Sequence, residues 1–143
     1  MANATALLAV QATLYATLDV PAVTALAPVF DLVPQGQGYP YIEIGELEEV
    51  PSNTFRKNGR EVHASIHVFS DSPGYKEAES IIEQLNILLD MDPSSSTGAG
   101  LLPSPTGWVC WLSEYELGSL VKELNVVEIR HAIVRYHFEV SQP

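Results

Sequence analysis

FDLVPQGQGYPYIEIG, residues 30–45, is the stretch that decides the first corner of the fold. Apolar runs stand on both sides of a turn made of proline, glutamine and glycine, and such residues favour a change of chain direction. Pro40 restricts the preceding Tyr39 to extended geometry, so the chain resumes an extended path there. The stretch therefore predicts a strand that ends near Val33, a turn, and a second strand that begins at Tyr41.

The clearest strand signal follows at residues 60–69, where apolar and polar residues alternate. Successive side chains of a strand point to opposite faces, so Val62, Ala64, Ile66 and Val68 are expected on one face and His63, Ser65, His67 and Phe69 on the other. The Asn58-Gly59 pair before it is typical of a tight hairpin turn. The strands on either side of that turn are therefore expected to be antiparallel neighbours.

The remaining pattern gives two helices and two further strands. Apolar residues recur every three or four positions in two segments, as on one face of a helix. The expected helices are 4–18 and 72–90, and the expected strands are 29–33, 41–50, 60–69, 108–118 and 126–140. The order α-β-β-β-α-β-β has too few helices for a parallel doubly wound sheet. We expect a single α+β domain over residues 1–143, with an antiparallel sheet of four to five strands and two helices packed on one face.

Two segments are expected to leave the body of the domain. Residues 46–60 are polar, and Pro51 within them has no N–H to donate to a strand ladder, so they predict a protruding hairpin arm. This arm separates the acidic Glu46, Glu48 and Glu49 from the basic Arg56, Lys57 and Arg60. Opposed charges of this kind suit a head-to-tail contact between identical subunits, although a solvated loop would have the same composition. Residues 92–107, rich in proline, serine and glycine, predict a flexible surface loop.

Composition excludes several classes of function. Eighteen acidic residues against seven basic ones give a net charge of −11, which argues against specific nucleic-acid binding. No apolar run approaches the ~18–20 residues that span a bilayer, so no membrane association is expected. The single cysteine excludes an internal disulfide, and the N-terminal segment lacks the basic start of a signal peptide. The sequence favours a protein folded in a cytoplasm.

No catalytic, cofactor or metal site is predicted. His63 and His67 are four residues apart on a strand, a distance of ~13 Å, so those two cannot share one zinc ion. His131 or His137 could approach either of them across the sheet, which leaves a metal site open as a minor alternative. Cys110 lies between aromatic residues and is interpreted as a small core residue.

Two other functions remain as alternatives. Glu114 and Glu116 share a face of an expected strand at a spacing of ~6.6 Å, which is compatible with a pair of hydrolase carboxylates. The sheet face around His63, His67 and Tyr136 could instead bind a small ligand in a cellular α+β domain.

Four short motifs, in this order and spacing, carry a resemblance to a known family. They are FDLVPQG at 30–36, YPYIEIG at 39–45, the strand ending in HVFS at 62–70, and HAIVRY at 131–136. With them, the sequence resembles the tail completion, or tail-to-head joining, proteins of long-tailed bacteriophages and prophages. The long 92–107 segment and the acidity depart from that pattern.

The resemblance implies a structural virion protein and no enzyme. Proteins of this family are similar in an α+β fold, and they form a ring, expected to be a hexamer, at the head-proximal end of the tail tube. The implied partners are further copies of the chain, the tail tube protein and a head-side neck or connector protein, assembled in the host cytoplasm. Six copies of a −11 chain around a channel would also repel DNA passing through it.

Overall fold

The computed structural model describes residues 4–124 and 128–143 and shows one five-stranded sheet with helices on one face. In chain order the elements are α1 (Leu7–Leu18), α2 (Pro21–Thr24), β1 (Val29–Phe30), β2 (Tyr41–Pro51), β3 (Gly59–Ser70), α3 (Lys76–Leu89), β4 (Val109–Leu124) and β5 (Glu128–Ser141). The strands lie in the order β1-β2-β3-β5-β4. The α+β class and the order of elements are confirmed. The sheet is mixed, however, because the short β1 runs parallel to β2 while the other neighbours are antiparallel.

The core lies between the helices and one face of the sheet. The alternation expected in β3 is confirmed, since Val62, Ala64, Ile66 and Val68 are all fully buried. α1 contributes Val10, Leu14 and Leu18 to this core, and α3 contributes Ala78, Ile81, Leu85 and Leu89. Regular spacing along the helices places these residues on one face. The opposite face of the sheet carries no helix among the described residues.

Both main helices begin later than the sequence indicates. α1 begins at Leu7 rather than residue 4, and α3 begins at Lys76 rather than at Ser72. Gly74 has a φ of +74°, a left-handed conformation that interrupts a right-handed helix. Ser72 and Pro73 therefore lie in a turn that precedes α3.

The protruding arm expected at residues 46–60 is wrong in its extent. Residues 46–51 belong to β2, and 47–51 pair with β3, while only 52–58 form the connecting turn. A bulge between Ile44 and Leu47 absorbs one register shift in this ladder. Pro51 is tolerated because β1 pairs only with Ile42 and Glu43, so Pro51 lies on an outer edge where no N–H is needed. Asn58-Gly59 consequently ends a longer loop instead of forming a two-residue turn.

β4 is longer than predicted. β4 continues through residues 120–124, which the sequence assigned to a connection, and these pair with the first part of β5. A cross-strand ion pair of 3.0 Å between Lys122 Nζ and a Glu128 carboxylate oxygen joins the two strands there. Val126, the expected start of the last strand, lies outside the described residues.

The segment 92–107 forms neither helix nor strand, as expected for a loop. It is nevertheless attached to the body of the protein. Leu102 is buried in the core, and the Cys110 N–H of β4 donates a hydrogen bond of 3.2 Å to the Ser104 hydroxyl oxygen. In the part of the chain that the structure describes, no helix has the length and apolar character needed to cross a bilayer.

Candidate functional site: the open face and the edges of the sheet

The face of the sheet opposite the helices, called here the open face, concentrates histidine and glutamate. The strand register places all four histidines of the chain there: His63, His67, His131 and His137. Around them lie Glu43, Glu46, Glu48, Glu61, Glu114, Glu116, Glu123 and Glu139. Arg135 also lies on this face, where it binds Glu48 at 2.9 Å. The open face is therefore strongly acidic.

His63 and His137 form the centre of this face. They are directly opposite each other on β3 and β5, and their rings stack at 4.8 Å with an interplanar angle of 10°. Each Nδ1 atom lies 2.8 Å from a carboxylate of β4, Glu116 for His63 and Glu114 for His137. Each Nε2 atom points to the same oxygen of Glu61, at 3.1 Å and 3.3 Å.

Charge and burial compete in setting the pKa values of this cluster. Burial alone lowers the pKa of His137, but the hydrogen bond with Glu114 and the charges of Glu61 and Glu139 raise that pKa above its ordinary value. Burial raises the pKa of Glu116, but the hydrogen bond and charge of His63 together with the charge of Arg135 lower it below its ordinary value. Both shifts favour the charged forms of the two groups.

His67 and His131 form a second pair on the same face. His67 Nδ1 and His131 Nε2 are 2.8 Å apart, so one donates a hydrogen bond to the other. His131 Nδ1 lies 2.8 Å from Glu123, and its ring stacks on Phe69 at 4.3 Å. Gly45 makes room for this pair, because a Cβ atom there would lie 2.5 Å from His67 Cδ2. A glycine within a strand is typical of such a close approach.

The six charged residues of the expected arm separate into three groups. Glu49 and Arg60 face the helices and form an internal ion pair of 3.7 Å, with only 14% and 10% of their side chains exposed. The Glu49 carboxylate also accepts a hydrogen bond from the Ala6 N–H at the start of α1. Glu46 and Glu48 lie on the open face, where they contact His67 and Arg135.

The other basic residues of that set lie at the tip of the β2–β3 turn. Arg56 and Lys57 are both exposed there. Phe55 beside them is 99% exposed. The tip therefore presents an exposed aromatic ring and two exposed cations, a composition suited to contact with another protein.

Comparison with known proteins identifies the family. The family described as Tail completion protein gp17 matches residues 9–106, more than half of the chain. The chain belongs to the tail completion protein family. This confirms the resemblance drawn from the sequence motifs and makes the protein a structural component of a phage-like tail.

A solved structure shares the fold of this tail completion protein. It is a chain of the "Virion of native gene transfer agent (GTA) particle", with a TM-score of 0.68 and 16% sequence identity. The match covers 92% of this chain and 93% of that chain. A search of curated proteins finds no match.

The structure does not assemble the alternative small-ligand site. Tyr136 lies on the opposite face from His63 and His67, where it is fully buried and its hydroxyl donates a hydrogen bond to Asn86 of α3. The depression between Glu48, His63 and Arg135 has a volume of about 160 Å³. Pockets for drug-sized ligands are larger, roughly 300–1,000 Å³.

The residues considered for catalysis have other surroundings. Glu114 and Glu116 bind the two stacked histidines, and a bulge between Tyr115 and Leu117 displaces Glu116 from the regular ladder. Cys110 is buried, as expected for a core residue, and burial raises the pKa of its thiol to about 11. A thiol of this kind is a poor nucleophile at neutral pH.

The two edges of the sheet are the other candidate site of the tail completion protein. β4 is the outermost strand on one side. On the other side β1 covers only Ile42 and Glu43, so within residues 4–124 and 128–143 no strand pairs with the outer side of 44–51. Exposed apolar side chains lie along both edges, namely Leu117, Leu120 and Val121 on β4 and Val50 on β2.

Proposed function

We propose that this tail completion protein forms a ring at the head-proximal end of the tail tube and joins the tail to the neck of the particle. The observation that carries the proposal is the pair of open edges at opposite ends of one sheet. A ring of identical subunits needs two different, complementary surfaces on each subunit. Opposite edges of a sheet are such surfaces.

The β4 edge is open along only part of its length. Near its start, the Met91 N–H donates to the Ser113 carbonyl and the Tyr115 N–H donates to Asp90, so residues 90–91 cover that part. The part beyond Tyr115 has no such cover among the described residues, and Leu117 there is 55% exposed. An exposed apolar edge strand is a template for pairing with another chain. In the proposed ring, residues 116–124 of one subunit meet the outer side of β2 of the next.

Charge supports the same head-to-tail arrangement. The β2–β3 tip carries Arg56 and Lys57, whereas the open face carries glutamates, including the exposed Glu46 and Glu48. A basic tip reaching an acidic face of the neighbouring subunit would steer the subunits into register. Glu49 and Arg60, which already pair within one chain, stabilise the monomer instead.

The acidity of the open face suggests its place in the ring. Helices cover the other face, so a ring closed through the sheet edges can direct the open face toward the channel. Six copies would then line it with glutamates and allow DNA to pass without binding. In this proposal the two ends of the ring contact the tail tube protein and a head-side neck or connector protein, in a virion assembled in the host cytoplasm.

Electron microscopy and sedimentation velocity of the purified protein test the ring. We expect rings of six subunits at high protein concentration or on added tail tubes. Replacing Leu117 and Val121 together by lysine places charges on the β4 edge and should leave monomers. Ile87→Lys is the matched control, because Ile87 is an equally exposed apolar residue on α3, 60% accessible and away from both edges. Rings in the edge variant, or their loss in the control alone, would contradict the proposal.

A further inference from the structure

The stacked histidine pair on the open face has the geometry of a metal site. Glu61, His63 and His137 each offer one ligand atom, and these three atoms lie within 4.8 Å of one another. Glu61 and His63 come from β3, and His137 comes from β5. The cross-strand register brings them together, which is why the spacing of His63 and His67 along the sequence did not predict a shared site.

Two of their separations are close to those around a tetrahedral zinc ion. With Zn–N and Zn–O bonds of about 2.0–2.2 Å, neighbouring ligand atoms of a tetrahedron are about 3.4 Å apart. The two Nε2 atoms lie 3.1 Å and 3.3 Å from the same Glu61 oxygen. The fourth position of the tetrahedron is left to water or, after a side-chain rotation, to Glu139, whose carboxylate oxygen lies 3.2 Å from His137 Nε2. Both rings would have to tilt from their parallel stack, because a metal ion lies close to the plane of each imidazole that binds it.

The other ring nitrogens are held in the way that zinc ligands require. Glu116 and Glu114 each lie 2.8 Å from one Nδ1 atom. A neutral imidazole has one N–H, and donation of that N–H to a carboxylate leaves the lone pair of Nε2 free for a metal. Carboxylate–histidine–zinc triads of this kind orient the ring and increase its basicity as a ligand.

A bound cation would also offset the negative charge of the carboxylates around the two rings. Four carboxylates, those of Glu61, Glu114, Glu116 and Glu139, surround the two rings. Borderline-soft divalent ions with nitrogen and oxygen ligands suit this set, whereas Mg²⁺ prefers oxygen ligands and water. We propose that Glu61, His63 and His137 bind one Zn²⁺ ion per subunit, with Glu114 and Glu116 as its outer carboxylates. The ion links β3 to β5 within one chain, so the proposal does not depend on ring formation.

Titration calorimetry with ZnCl₂ tests the site, on protein from which any polyhistidine tag has been removed. We expect one Zn²⁺ per chain and no binding of Mg²⁺ at this position. His137→Gln should abolish the site, whereas His131→Gln, which changes the neighbouring pair, is the matched control and should keep it. Glu114→Gln leaves the ligands in place and should weaken Zn²⁺ binding about 10- to 100-fold.

Two further measurements keep the result decisive. Circular dichroism of each metal-free variant shows whether it folds. If His137→Gln does not fold, the binding comparison is made with Glu114→Gln instead. Co²⁺ added to the unchanged protein should give the strong visible absorption of a tetrahedral site, and Zn²⁺ should displace it. No Zn²⁺ binding to the unchanged protein, or equal affinity in the Glu114→Gln and His137→Gln variants and the unchanged protein, would overturn the proposal.

Discussion

Glu49→Ala should destabilise the protein far more than the same change at the adjacent Glu48. The Glu49 carboxylate accepts hydrogen bonds from the Ala6 N–H at 2.6 Å and from the Thr5 hydroxyl at 2.8 Å, and it pairs with the nearly buried Arg60. It therefore supplies the negative charge at the N-terminus of α1, whose cap residue has no side-chain hydrogen bond of its own.

The expected loss of unfolding free energy depends on the contacts that Arg60 keeps after Glu49 is replaced. Breaking a buried ion pair by removing one partner costs about 3–5 kcal/mol. Arg60 keeps hydrogen bonds to Asn53, to the Gly59 carbonyl and to the Ala4 carbonyl, so we expect the lower end of that range, about 3 kcal/mol. For a chain of 143 residues this corresponds to a fall in Tm of about 9 °C, at about 3 °C per kcal/mol.

Urea denaturation followed by circular dichroism measures both variants. Glu48 is 66% exposed and forms a surface ion pair with Arg135, so Glu48→Ala should cost less than about 1 kcal/mol. The two residues differ in the face of β2 that they occupy and not in chemical type. Equal losses of unfolding free energy in the two variants would refute the reasoning that Glu49 is an internal cap.

Three further predictions concern the body of the protein. Gly100 has a φ of +82° and a Cβ there would overlap the Asp90 carbonyl, whereas Gly36, at +79°, has open space around it. Denaturation should show a loss of unfolding free energy of about 1 kcal/mol for Gly36→Ala and at least twice that loss for Gly100→Ala. Similar losses in the two variants would contradict the packing of residues 90–100. Tyr136→Phe removes the hydrogen bond to Asn86 and should cost about 1 kcal/mol in the same assay, while an unchanged stability would exclude a stabilising role for that bond. Burial raises the pKa of Cys110 to about 11, and only the thiolate reacts. Alkylation of the native protein should therefore be slow at pH 8, accelerate as the pH approaches 11 and become fast at pH 8 in urea. Rapid alkylation of the native protein at pH 8 would show that the thiol is accessible.

Local patterns were sufficient to predict much of the fold. The alternation of β3 identified the buried and open faces correctly, because a strand with one buried face must alternate. The turn after β1 was also predictable from the positions of proline and glycine. The extent of β2 was predicted to within one residue, but its second half was wrongly assigned to an arm outside the sheet, since Pro51 argues against a strand only where its neighbour needs an N–H. That depends on which strand lies beside it, and sequence spacing does not contain this information.

The histidine–glutamate cluster was harder to predict from the sequence than the fold. His63 and His137 are neighbours only through the register of β3 and β5, which a one-residue shift would destroy. The same register places Tyr136 on the buried face, away from the histidines with which the sequence grouped it. Clusters of charge along the chain indicated a contact at residues 46–60, but Glu49 and Arg60 meet each other within one subunit.

Cysteine cross-linking tests most directly the claim that subunits join head to tail through opposite sheet edges. Val50→Cys and Leu120→Cys place one thiol on each open edge, and the native Cys110 is buried. With a flexible bis-maleimide linker, the double variant should give a ladder of covalent oligomers that ends at six, while each single variant should give almost no dimer. Efficient dimers from either single variant would show that like edges meet, and would contradict the ring.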